Sequence, residues 1–360
     1  MKKALLKTLC LLTACLLTPS LGLGESADPA REMLSRITLG WNLGNTLDAN
    51  TTTLITTQTE TSWGNPVTTQ ELIDLVASCG FDAIRIPVTW FNHMNLTTHE
   101  IDPDWMDRVQ QVVDMVLSRG LICILNMHHD TGTDGWLKTV EGSWERNSAL
   151  FAELWQQIAL RFRDYGPDLM LEGFNEILNG ENAWANPDAY SLEATNQLNQ
   201  IFVDTVRATG GGNATRVLVV NTYAASADYS VIKGFQLPTD TVENSLIAGV
   251  HMYVPFDFTD PASPTVTEWK WVTVKKSFQT LEKNLINKGI PLFIGEFGAG
   301  DKNNSSQRQA WAQYYVKTAA ELGLPCFWWD NGGDYALVDR RKLTVLEPEL
   351  IQVMLEAAER

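Results

Sequence analysis

Gly289-Ile290-Pro291-Leu292-Phe293-Ile294-Gly295-Glu296-Phe297-Gly298 contains, in ten residues, the unit from which the fold can be read. An amphipathic run, 267–288, precedes it and ends at Gly289, where a helix can finish in the left-handed conformation. Pro291 to Ile294 is short, continuous and apolar, the pattern of a strand buried on both faces. Glu296 then closes it. A carboxylate at the end of a core strand is costly to desolvate, so it needs a partner or a task.

The unit recurs along the chain. Strand-like runs lie at 37–43, 81–88, 121–127, 169–174, 216–221, 246–252, 291–296 and 325–329. Amphipathic stretches at 69–78, 103–119, 149–165, 189–209, 267–288 and 306–322 separate most of them, and 347–360 closes the chain as a last helix. Gly80, Gly120, Gly289 and Gly323 each stand between a helix and the next strand. The fifth crossover, 222–244, is the weak one and reads as loop with at most a short helix. Eight strands alternating with helices predict an α/β protein with a single (β/α)8 TIM barrel. An open doubly wound sheet is the alternative, but no glycine-rich turn follows the first strand. From Thr38 onward there is no low-complexity stretch or Pro/Ser-rich linker, so one catalytic domain is expected over 25–360.

Residues 1–24 read as a secretory signal peptide: Met1-Lys2-Lys3, an apolar middle, then the small Gly22 and Gly24. Leu12-Thr13-Ala14-Cys15 resembles a lipoprotein box, which would place a lipid on Cys15. Removing the leader takes Lys2, Lys3 and Lys7 with it and moves the net charge from −16 to −19. So acidic a body disfavours nucleic acid and anionic membranes and suits a soluble secreted protein acting on a neutral polymer; a monomer is expected. Cys79, Cys123 and Cys326 remain, an odd and scattered set that is no disulfide framework.

In such barrels the active site lies at the C-terminal strand ends. Those ends here carry Asn45 and Asp48, Arg85 with Trp90 and His93, Asn126 with His128 and His129, Asn175 with Glu176, His251 with Tyr253, Glu296, and Trp328-Trp329-Asp330. Two carboxylates on separate strands amid His and Trp point to acid–base work on a sugar. Gly40-Trp41-Asn42-Leu43-Gly44-Asn45-Thr46-Leu47-Asp48, Trp63-Gly64-Asn65-Pro66, Ile84-Arg85-Ile86-Pro87-Val88, Asn126-Met127-His128-His129, Phe174-Asn175-Glu176, His251-Met252-Tyr253 and Gly295-Glu296-Phe297-Gly298 run in this order, with Trp328-Trp329-Asp330-Asn331-Gly332 last. Together they resemble family 5 of the glycoside hydrolases, and in detail its subfamily 4, mainly endo-β-1,4-glucanases. The resemblance spans roughly residues 33 to 358.

That resemblance implies a retaining, cofactor-free hydrolase of cellulose-type or mixed-linkage β-glucan, with Glu176 as acid/base and Glu296 as nucleophile. It implies that Arg85 and Tyr253 hold the nucleophile, that His128 and His251 line the site, that Asn175 meets the 2-hydroxyl, and that Trp329 lies under the sugar. Xyloglucan, xylan and mannan are alternative substrates for the same site. Asn45, Asp48, His93 and His129 are candidate hydroxyl partners, and Trp63, Trp136 and Trp184 are candidate stacking faces in loops. Trp105, Trp144, Trp155, Trp269, Trp271 and Trp311 fall in or beside helices and read as packing.

Some assignments strain strand geometry. Neighbouring strand residues point to opposite faces, yet Asn175 and Glu176 must both reach the cleft, so a bulge or the end of regular pairing is expected there. By the same alternation Trp328 rivals Trp329, and Glu172 rivals Glu176, although Glu172 lies mid-strand and reads as a structural acid. A metal-dependent barrel hydrolase using His128, His129, His251, Asp130 and Asp330 is a rival class, but no His-x-His or His-Glu-x-x-His spacing supports it. The loop Asp130–Glu141 has a partial calcium-loop pattern, broken by Gly132 at its third position. A non-catalytic carbohydrate binder is the third class, and it conflicts with the retention of both Glu176 and Glu296.

Overall fold

The computed structural model describes residues 28–51 and 57–359, so the leader and Cys15 lie outside the described residues. Eight parallel strands close into a barrel in chain order: β1 (Leu39–Leu43), β2 (Ala83–Ile86), β3 (Ile122–Asn126), β4 (Leu169–Glu172), β5 (Leu218–Ser226), β6 (Leu246–His251), β7 (Leu292–Phe297) and β8 (Cys326–Asp330). Pairing of β1 with β8 closes the ring, with Asn42 opposite Trp329. The expected strand count and order are those observed, and the open-sheet alternative falls.

Among the described residues ten α-helices surround or plug the barrel: α1 (Pro29–Ser35), α2 (Gln70–Ser78), α3 (Pro103–Ser118), α4 (Trp144–Phe162), α5 (Ala189–Ala208), α6 (Tyr229–Ile232), α7 (Phe256–Thr259), α8 (Trp271–Asn284), α9 (Ser305–Glu321) and α10 (Pro348–Ala358). Asp102 caps α3 and Asp188 caps α5, each accepting a first-turn N–H that has no helical partner. Gly120 and Gly323, at φ 70° and 73°, turn α3 and α9 into β3 and β8. The fifth crossover holds only the single turn α6. The N-terminal α1 and a short hairpin pairing Val338–Asp339 with Thr344–Val345 lack clear sequence patterns and were not expected.

Two apolar layers result. Residues of one strand parity, such as Leu39, Ile84, Cys123, Leu171 and Trp328, pack outward against the helices. The opposite parity, including Ala83, Ile124, Met170, Val219, Ile247, Phe293 and Phe327, fills the barrel interior, and Ala30, Met33 and Leu34 of α1 join it. Continuing the interior parity one step toward the strand ends reaches Asn42, Arg85, Asn126, Glu172 and Asn221, and two steps beyond Ile247 reaches His251. The interior therefore changes from apolar to polar at one layer, just below the mouth. Cys123 and Cys326 are buried and Cys79 is half-buried, and these three cysteines are not bridged to one another. Trp105, Trp155 and Trp311 are buried as expected, but Trp271 is 56% exposed at the start of α8, so it is not a packing residue.

Candidate active site

Arg85 is the hub of the polar layer and is fully buried. Its Nε and Nη2 donate to Glu172 at 2.6 and 2.8 Å, a two-pronged ion pair. Nη1 donates to Glu296 Oε1 at 2.8 Å and to Asn42 at 3.0 Å, and Nη2 also donates to Asn175 Oδ1 at 3.0 Å. Glu172 accepts a further bond from Asn221 at 2.7 Å. Burial alone would raise its carboxyl, but the Arg85 charge outweighs that and holds it below the usual range. Glu172 is thus a structural acid, and its rivalry with Glu176 ends.

Glu296 reaches this hub through a backbone irregularity. Val250 pairs with Ile294, but the next pair is His251 with Glu296, so β7 carries one extra residue. Without that bulge Glu296 would share the outward parity of Ile294; with it, the carboxylate turns inward. Tyr253 Oη donates to Glu296 Oε2 at 3.0 Å. Burial pushes the Glu296 carboxyl up, His251 and Arg85 pull it down, and the Glu176 charge adds to the rise; the net direction is upward. On strand four regular pairing simply stops at Glu172, and Asn175 N–H donates instead to Met127 O at 2.8 Å. That released segment is what lets both Asn175 and Glu176 face the site. Arg85 occupies Asn175 Oδ1, leaving the amide nitrogen as its group for a sugar hydroxyl.

His251 Nδ1 lies 2.7 Å from Glu176 Oε1 and 3.5 Å from Glu296 Oε2. One oxygen of Glu176 and one of Glu296 fall within 4.8 Å of each other and of that nitrogen. His128 has a defined tautomer. Val88 N–H donates to Asn126 Oδ1 at 3.2 Å, so Asn126 Nδ2 must donate to His128 Nδ1, at 3.1 Å, and the ring proton sits on Nε2. That nitrogen is 4.0 Å from Glu296 Oε1. Burial, then the charges of His129, Arg85 and His251, push His128 well down, so it stays neutral. Its ring lies parallel to Trp329 at 5.6 Å. Trp329 is half-buried at the mouth, whereas Trp328 is sealed among Phe297 and Trp311.

The remaining candidates divide. Asp48 is fully buried and is spent on the turn: it accepts the N–H groups of Asn45 and Thr46 at 3.1 and 2.7 Å and lies 3.4 Å from His129 Nε2. It holds His129 rather than meeting a sugar. Burial resists protonation of His129, but Asp48, Glu176 and Glu296 outweigh it and raise its pKa. Asn45 adopts φ 55° in that turn, and its carbonyl accepts from Asn65. His93 is not in the cleft at all. It is buried, stacked on Trp105 at 3.6 Å, with Nε2 2.9 Å from Thr59 Oγ1. Its place one turn beyond β2, on the 3₁₀ turn Phe91–His93, carries it into the shell between strand and helix. Trp136 donates to Asp130 at 2.9 Å and stacks on Phe91, which makes it a loop anchor. Trp63, 42% exposed beside His129, and Trp184, 49% exposed near Glu176, remain as open aromatic faces.

The metal readings find their oxygens already used. Asp130 accepts from Trp90, Phe91 and Trp136, so it is not a free calcium ligand. Asp330 accepts from Trp41, Gly332, Leu337 and Arg340. Among the described residues two groups bring three ligand-type atoms within 4.8 Å: Asp48, His128 and His129, and Glu176, His251 and Glu296. In the first, His128 presents a protonated nitrogen and Asp48 is committed to main-chain donors.

A closed barrel whose mouth holds two carboxylates this close, one fastened by arginine and tyrosine and the other by histidine, is the architecture of a glycoside hydrolase. Residues 47–334 match the cellulase model, glycosyl hydrolase family 5, and the chain belongs to that family. Endoglucanase B of Neocallimastix patriciarum is 36% identical over 343 residues, covering 91% of this chain and 71% of that protein. A broad-specificity endoglucanase of subfamily 4 from Ruminococcus champanellensis, solved with bound cellotriose, superposes with a TM-score of 0.87 at 40% identity, covering 91% of this chain and 98% of that one. A family 5 enzyme from Prevotella bryantii B14, solved with a xyloglucan tetradecasaccharide, gives a TM-score of 0.85 at 38% identity, with coverage of 92% and 98%.

Proposed function

We propose that this protein is a secreted, retaining endo-β-1,4-glucanase that cleaves internal bonds of cellulose-type and mixed-linkage β-glucans. Glu176 protonates the departing glycosidic oxygen while Glu296 attacks the anomeric carbon and forms a glycosyl-enzyme. Water then attacks that carbon, the bond to Glu296 breaks, and Glu176 takes the proton. The observation that carries the reading is the carboxylate gap of at most 4.8 Å between oxygens. Retention needs carboxyls ~5–5.5 Å apart, whereas inversion needs ~6.5–9.5 Å to seat a water between them.

The fastenings support the division of roles. Glu296 has an arginine and a tyrosine on separate oxygens, which orient a carboxylate for attack. Glu176 is less buried and touches His251 Nδ1, a group that can donate to the carboxylate or accept from the acid. Asn175 Nδ2 and His128 Nε2–H are placed to donate to hydroxyls, and Trp329 offers a ring face. The working unit proposed is a monomer. Export rests on the character of residues 1–24.

The test is the anomeric course of hydrolysis. Proton NMR of cello-oligosaccharide cleavage should show the β-anomer first, with the α-anomer growing only by mutarotation. Glu176→Gln and Glu296→Gln should each abolish nearly all reducing-end release from carboxymethylcellulose. An α-first product would refute the retaining mechanism, and full activity in either variant would refute the assignment of that residue.

A further inference from the structure

Tyr253 stands on a segment that the barrel ladder does not hold. Pairing of β6 with β7 ends at His251 opposite Glu296, and Met252 N–H adds one bond, to Glu296 O at 3.0 Å. Met252 and Val254, on either side of Tyr253, lie outside any strand, the first buried and the second half-buried. Backbone carbonyls in such places must find a donor elsewhere. Both find it on α9. Tyr315 Oη donates to Met252 O at 2.8 Å, and Trp311 Nε1 donates to Val254 O at 2.8 Å.

The spacing of the two donors matches that of the two carbonyls. Trp311 and Tyr315 stand four positions apart on one face of α9, a rise of about 6 Å. Met252 and Val254 are two positions apart, which chain geometry limits to about 7 Å. The earlier helix residue meets the later carbonyl, so helix and segment run antiparallel. The same two rings also pack on the residue that follows Glu296. Tyr315 lies parallel to Phe297 at 4.9 Å, Trp311 lies 6.1 Å from it, and all three are fully buried. Burial pushes the Tyr315 phenol well up, so it stays a donor. Buried Tyr and Trp ordinarily find some acceptor, and that habit would account for one such bond. It does not account for both bonds falling on the carbonyls that flank Tyr253 while both rings rest against the neighbour of Glu296.

We propose that Trp311 and Tyr315 are positioning residues: they brace the Tyr253 segment against β7 and so set the 3.0 Å hydrogen bond from Tyr253 to Glu296, without touching substrate. The inference rests on the glucanase reading, in which Glu296 is the nucleophile, and extends control of that group to the outer helical layer.

The experiment is a double-mutant cycle of Tyr253→Phe and Tyr315→Phe, read as kcat/KM on mixed-linkage β-glucan across pH, with melting temperatures. Tyr315→Phe keeps the ring on Phe297 and removes the bond to Met252 O. Its kcat/KM should fall about 10-fold, within the ~100-fold that a misplacement of about 1 Å can cost. Its acid limb should move to higher pH, as in Tyr253→Phe, because a weakened bond favours the charged carboxylate less. The double variant should stay within about 3-fold of Tyr253→Phe alone, whereas independent losses would multiply by a further ~10-fold. Trp311→Phe removes the other bond and should shift rate and acid limb the same way; it carries the test should Tyr315→Phe not fold. With a native protein that cleaves glucan, Tyr315→Phe activity within twofold of native, a fall with an unmoved acid limb, or full multiplication in the double variant would overturn the inference alone. A native protein inert on glucan, or full activity in Glu296→Gln, would overturn the glucanase reading and this inference with it.

Discussion

Tyr253→Phe removes one oxygen atom from the site and tests how Glu296, the proposed nucleophile, is held. Tyr253 Oη donates to Glu296 Oε2 at 3.0 Å, and Arg85 Nη1 holds the other oxygen at 2.8 Å. Burial, reinforced by the Glu296 charge, pushes the phenol well above its ordinary value, so it remains a donor at any working pH. A hydrogen bond to a charged group contributes ~1.5–3 kcal/mol, equivalent to about 10- to 100-fold in rate if it is expressed in the transition state. Two effects compete. Losing a donor makes the carboxylate intrinsically more basic, yet it also frees the group to rotate about the single anchor left by Arg85. Orientation should win, because attack on the anomeric carbon tolerates little misplacement. We expect kcat/KM on mixed-linkage glucan to fall about 10- to 100-fold. The acid limb of its pH profile should move to higher pH, since a bond that favoured the charged form is gone. The ring contact with Tyr335 at 6.2 Å is kept, so the melting temperature should change little. Activity within twofold of native with an unmoved acid limb would refute the reasoning and reduce Tyr253 to packing.

Glu172→Gln leaves Arg85 buried with only Glu296 as a charged partner, and urea unfolding should show a loss of about 3–5 kcal/mol; a loss below ~1 kcal/mol would mean the pair is dispensable. In Gly44→Ala the new Cβ would stand 2.7 Å from the Trp329 ring and 2.8 Å from Asp330 O. Trp329 must tilt, so KM for glucan should rise and stability should fall by about 1–3 kcal/mol, read from oligosaccharide kinetics and thermal melts. Burial lowers His93 from an ordinary 6.5 to about 4, with Asp102 opposing. The unfolded chain therefore binds the extra proton first, and stability should decline as pH falls from about 6.5 to 4, by on the order of 3 kcal/mol. His93→Phe, which keeps the stack on Trp105, should flatten that slope in denaturation curves at pH 7 and pH 4.5.

The barrel was legible because its signals are local and repeated. Apolar runs closed by polar residues, with glycines between helix and strand, need no knowledge of distant contacts. Glu172 could be separated from Glu176 by its mid-strand position, and Trp329 fitted the interior parity of β8. What the sequence hid depends on pairing between strands. The β7 bulge at Gly295 and Glu296 leaves no mark in an apolar run, although it decides which way Glu296 points. His93 and Asp48 looked like cleft residues because both follow strands. One is carried into the strand–helix shell by a 3₁₀ turn, and the other is consumed by the N–H groups of its own turn. The weakness of the fifth crossover was visible as missing amphipathic pattern, and the structure bears it out with the single turn α6.

Sharing Arg85 between two carboxylates explains why a barrel interior keeps an acid as costly as Glu172. Arg85 gives Glu172 two donors, at 2.6 and 2.8 Å, and Glu296 only one. Had Glu296 received the two-pronged pairing, both its oxygens would be locked in a buried ion pair and its negative charge neutralised where it must attack. With Glu172 matching the guanidinium charge for charge, the excess negative charge in this layer sits on Glu296, the group at the cleft. The apolar layer of Met170, Phe293 and Phe327 beneath keeps water from screening these contacts. At an effective dielectric near 20, a pair ~4 Å apart still interacts by ~4 kcal/mol, enough to keep Glu296 in register while leaving Oε2 to a neutral donor that can be given up as the glycosyl bond forms. On the proposed mechanism Glu172 therefore acts on the reaction without touching the substrate, by setting how much of Arg85 is left for Glu296.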